Sequence, residues 1–138
     1  MKMSTARSWI TGIWIGGAFL FYLLIIVQSL RNKYDPDADK VWAWALPTMM
    51  PTLLLMIGVH AGEALSPNKE DRDITRFFFG LTLATSAFYI LIVMLTILLA
   101  PFSSSAPLAL MEKSNLWLGP LQGLAAGTFG VFYVHRKN

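Results

Sequence analysis

In a mostly apolar sequence, His60 and Glu63 carry the side chains best suited to chemistry. Three residues apart, they share a face if their segment is helical. His135 closes a later apolar run and falls on the same side of the expected layout. A histidine–carboxylate–histidine set has the donors for a metal or a proton relay. All three, however, lie at the ends of apolar runs, where polar groups reach the interface at little cost. The expectation is an interfacial or structural role, with no metal site, no cofactor and no catalytic set. Gln122 is a fourth polar candidate, because an amide within an apolar run wants a hydrogen-bond partner from another helix.

Other patterns fail on inspection. Asp35, Asp37 and Asp39 open like a calcium loop, but the glycine and glutamate needed further on are replaced by Lys40 and Leu46. No nucleophile elbow or phosphate-binding glycine loop is present, so the chain reads as a non-enzyme. Cysteine is absent, which excludes disulfides and thiolate chemistry. The net charge of +3 comes from basic residues that flank apolar runs. Their partners are lipid headgroups rather than nucleic acid.

Glycine and proline spacing carries more information. Gly119, Gly123 and Gly127 recur every four residues and share one helix face; Gly12 and Gly16 repeat the device once. Such faces let another backbone approach closely, within the chain or from another copy. Pro47 and Pro51, one turn apart, each remove a backbone donor and are expected to kink or hinge their helix.

The elements that hold these residues are four apolar runs, at about 8–30, 41–62, 77–100 and 114–134. A bilayer core needs about 20 apolar residues per helix. Only 14% of the 138 residues are charged, against about 25% in a soluble domain, and 55% are hydrophobic. The chain is thus expected to be an all-α integral membrane protein, with four transmembrane helices in an antiparallel up-down bundle and one domain over residues 1–138. Lys and Arg number seven on the two termini and second loop, against four on the first and third loops, which places both termini in the cytoplasm. Trp9 and Phe77 are expected in an inner aromatic belt, and Tyr34, Trp42, Trp44, Phe102 and Trp117 in an outer one. A cell membrane, most naturally a bacterial inner membrane, is the expected location.

Function is then expected from assembly. The first reading is a self-associating homo-oligomer that forms a pore or perturbs the membrane, as a toxin-like or defence-system effector. The alternative is an accessory subunit of a larger membrane complex. A redox or proton-handling role for His60, Glu63 and His135 ranks third.

Overall fold

The apolar runs form helices, which pair the backbone groups of each segment within that segment. A computed structural model describes residues 1–65 and 73–133, without the side chains of Glu63 and 131–133. It is all-helical: α1 spans Met3–Leu30, α2 Ala38–Ala64, α3 Arg76–Leu99 and α4 Pro107–Tyr133. A short 3-10 turn, Ala100–Phe102, follows α3. The first three helices are long and apolar enough to cross a membrane. Helix α4 is less apolar over its described length, because it takes in Glu112, Lys113, Asn115 and Gln122.

The helix ends follow local chemistry. Beyond α1 the chain turns through Asn32, at φ 54°, a left-handed conformation that asparagine tolerates. The Lys33 N–H reaches the Gln28 carbonyl at 3.1 Å, and the Asn32 N–H reaches Ser29 at 3.0 Å. This is the paired closure that satisfies carbonyls left over at a helix C-terminus. At the other end of the connection, Lys40 Nζ lies 2.7 Å from Asp37 Oδ1 across the first turn of α2. Helix α4 begins at Pro107 rather than at 114, since proline suits a first helical turn. Residues 108–111 are therefore part of the helix. Asp73 does not cap α3; it bridges to Lys2, and the Ile74 N–H donates to the Met1 carbonyl at 2.9 Å.

Direct contacts join α1 to α2 and α3, and α4 to α2 and α3. Around the bundle the order is thus α1, α2, α4, α3, with α1 and α4 at opposite corners. Thr11, near the start of α1, meets His60, near the end of α2; Tyr22, further along α1, meets Ala45 of α2. Aromatic rings fill the interior. Trp14 stacks on Tyr89 and meets Phe129 edge-on, both with centroids at 5.5 Å, so one indole ties α1 to α3 and α4. Phe21, Ile25, Met49, Met56, Val93 and Ile97 complete the core.

Two residues expected in the outer belt are instead core. Trp44 is 7% exposed and Tyr34 3%. The Tyr34 hydroxyl is fixed by the Gln28 amide oxygen, and burial pushes its pKa up to about 12. Trp42 is half-buried, its ring stacked on Tyr22. Trp9, Phe77, Phe102 and Trp117 are exposed, as belt residues would be.

Among the glycines, only Gly17 meets a neighbouring helix closely. A Cβ added there would lie 2.9 Å from Ile90 Cγ2, whereas one at Gly12 or Gly16 would meet nothing within 4 Å. Gly17 is therefore the close-approach point between α1 and α3. Gly17→Leu should destabilise the fold by about 1–3 kcal/mol through overpacking, while Gly16→Leu leaves monomer stability unchanged or slightly raised. Denaturant titration of both variants in detergent, followed by circular dichroism, checks this contrast.

Candidate functional site

The seam between α2 and α4 concentrates the chain's unusual backbone chemistry. In a helix, each carbonyl accepts from the N–H four residues ahead. Pro47 has no N–H for the Ala43 carbonyl, and Pro51 has none for the Pro47 carbonyl. Helix α2 nevertheless continues through both prolines. One nearby side chain replaces a lost donor, and two more bond the adjoining carbonyls. The Gln122 amide of α4 reaches the Pro47 carbonyl at 3.4 Å, and the Thr48 hydroxyl donates to Trp44 O at 2.7 Å. The Tyr89 hydroxyl of α3 donates to the Thr48 carbonyl, also at 2.7 Å, across the bundle. Apolar helices tolerate proline where neighbouring groups satisfy the freed carbonyls.

Beside this proline turn lies a cavity of about 560 Å³. Trp44, Thr48, Tyr89 and Leu118, all buried, contribute to its wall, and Gln122 and Gly119 continue it. Lys40, Glu112 and Asn115 are exposed residues of the same lining. The buried Trp44 indole N–H has no hydrogen-bond partner. A second, shallower groove of about 400 Å³ shares Gly119 and Gln122 and continues past Pro51, Leu55, Gly123 and Phe129. The two together form one seam, polar at one end and apolar along its length. The volume of the cavity falls within the range of roughly 300–1,000 Å³ common for ligand sites.

Of the polar candidates, Gln122 therefore lies in the seam, bonded to the proline turn. His60 lies elsewhere, at the α1–α2 contact, where its Nε2 is 2.8 Å from Thr11 Oγ1. Which of the two donates depends on the imidazole tautomer. The Glu63 side chain and all of His135 lie outside the described residues. Among the described residues no three His, Asp or Glu side chains gather as metal ligands would.

Four hydroxyls of α3 are absorbed locally. Thr82, Thr85, Ser86 and Thr96 each donate to the carbonyl four residues back, at 2.6 to 3.0 Å. Such back-bonds satisfy the hydroxyl without a partner helix. They leave the bundle interior without a polar path from these groups. The glycine faces, by contrast, are open: Gly12, Gly16, Gly119, Gly123 and Gly127 are all exposed, and an added Cβ at any of them meets nothing within 4 Å.

The cavity residues Trp44, Tyr89, Asn115 and Glu112 escaped sequence reasoning. A tyrosine within an apolar run was the one available signal, because its hydroxyl needs a partner. The pairing of Gln122 with the proline turn yields a direct test. Gln122→Leu should cost about 1 kcal/mol. In a Pro51→Ala background, residue 51 regains an N–H for the Pro47 carbonyl, and the same substitution should cost close to nothing. A double-mutant cycle of unfolding free energies checks the coupling, and additivity would refute it.

Comparison with protein-family models, curated proteins and solved structures gave no match to this chain, so its functional reading comes from its own side chains.

Proposed function

We propose that this chain is a four-span membrane protein that works as a homo-oligomer, the α1 glycine face of one copy docking on the α4 glycine face of the next. The observation that carries this reading is the openness of all five glycines. Lipid is already apolar, so helices associate in it through close packing, and small residues permit that approach. A face that finds no partner within the chain is available to a second copy.

The membrane itself is supported by what the bundle leaves outside. Only 33% of the most apolar window of α1 and of α3, and 44% of that of α2, is buried within the chain. Phe19, Leu54, Leu116 and Leu124 are more than half exposed. Contiguous apolar surface on this scale marks contact with lipid or with other proteins. We place the helices antiparallel across a cell membrane, with both termini cytoplasmic, in keeping with the Lys and Arg distribution.

The two glycine faces sit at opposite corners of the bundle, which favours head-to-tail contacts. Such contacts close into rings when the rotation between copies permits. The interior of one bundle is filled by Trp14, Tyr89, Phe21 and Phe129, so a conducting path would run between copies rather than through one. This supports a pore-forming or membrane-perturbing effector over a carrier that works alone. The same open faces also fit an accessory subunit of a larger membrane complex. Co-purification of a different membrane protein, with no self-assembly, would favour that second reading.

In mild detergent the chain should behave as an oligomer larger than a dimer by light scattering, and release ions from vesicles. The double variants G12L/G16L and G123L/G127L should each be monomeric, while an equal mixture of the two forms dimers through its one intact junction. A monomeric parent chain would overturn the proposal, and dimers of either variant alone would replace head-to-tail docking with a symmetric contact.

A further inference from the structure

The α2–α4 seam has the shape and charge order of an amphiphile site. We propose that it binds one zwitterionic phospholipid, with the headgroup in the cavity and an acyl chain along the apolar groove.

The charge order carries the argument. Lys40 and Glu112 line the same cavity from facing helices, and Lys40 is paired with Asp37 rather than with Glu112. A cation and a carboxylate held apart at one cavity complement a head that bears a phosphate and an ammonium. The Lys40 ammonium has three donors, one of which Asp37 uses, and the others suit phosphate oxygens. The Glu112 carboxylate accepts from the ammonium. One feature adds to the acceptor character on that side. Ala43 belongs to the lining, and its carbonyl has lost its regular helix donor to Pro47.

The groove supplies the apolar half. It leaves the cavity at Gly119 and Gln122 and runs past Pro51, Leu55, Gly123 and Phe129. Missing side chains at Gly119 and Gly123 give it depth, and a hydrocarbon chain needs no hydrogen bonds there; a docked copy would cover the same glycines, so the site belongs to the unassembled chain. An anionic lipid would satisfy Lys40 but would bring no ammonium to Glu112. A free phosphate compound would leave the groove empty.

The test uses the full chain carrying G12L and G16L, expected to be monomeric with the α4 groove intact, so that binding is read on monomers and does not depend on assembly. Native mass spectrometry follows titration with phosphatidylethanolamine, phosphatidylglycerol and phosphoethanolamine. The expected result is one phosphatidylethanolamine per chain, bound at least fivefold more tightly than phosphatidylglycerol, with no retention of phosphoethanolamine. Glu112→Gln should abolish the preference between the two lipids, and Lys40→Met should weaken both. Ala43→Phe, at an exposed part of the lining, should exclude both by filling the cavity. Equal binding of the two lipids by the parent chain would overturn the proposal. So would an unchanged preference in Glu112→Gln, retained lipid in a folded Ala43→Phe, or retention of phosphoethanolamine without its chains.

Discussion

The two prolines of α2 impose the constraint on which the surrounding structure depends. A helix in an apolar environment has no water to satisfy a carbonyl that loses its donor. Pro47 and Pro51 remove two donors within one turn, and α2 still runs unbroken from Ala38 to Ala64. The α4 amide of Gln122 supplies the Pro47 carbonyl, while the Tyr89 and Thr48 hydroxyls add bonds to the adjoining Thr48 and Trp44 carbonyls, whose own helix donors are not prolines. Those bonds hold α4 and α3 in register against α2. The cavity arises at the same place, where proline rings and Gly119 put little side-chain volume between the two helices.

The interior and the exterior of the bundle divide the work of packing. Inside, Trp14 and Tyr89 are large rings that join helices at opposite corners. Aromatic pairs at such centroid distances add about 0.5–1.5 kcal/mol beyond burial. Outside, the α4 glycines and Gly12 and Gly16 bear no load within the chain. Gly17, one residue along, does the opposite and brings α1 against Ile90. Adjacent glycines on one helix thus have different purposes, because successive positions turn by about 100°.

Aromatic residues show where a sequence rule stops. Trp42 and Trp44 occupy equivalent places in a hydropathy plot, and both suit a headgroup belt. They differ by two positions on α2, which turns one ring toward Tyr22 and buries the other against Phe21. Tyr34 lies in a polar turn yet is buried, since the turn folds back over the end of α1 and Gln28 receives its hydroxyl. The start of α4 was displaced for a similar reason. Glu112 and Lys113 read as a loop by polarity, but polar residues are tolerated in a first helical turn or two that faces a solvated end.

Four helices, their approximate limits, the proline turn and the two glycine repeats were all determined by sequence alone. Each rests on local physics: apolar length, a missing donor, or a four-residue period. Which helices touch was decided by tertiary structure. So was the pairing of Gln122 with Pro47, the separation of His60 from the seam, and the cavity lined by both Lys40 and Glu112. These depend on the rotation of each helix about its axis, and that rotation is set by how Trp14, Tyr89 and Phe129 fit together. The glycine faces needed both levels. Their period was visible in the sequence, but only the packed bundle shows that a side chain added at any of them would meet no neighbour within 4 Å, because nothing in a single helix says which side its neighbours take.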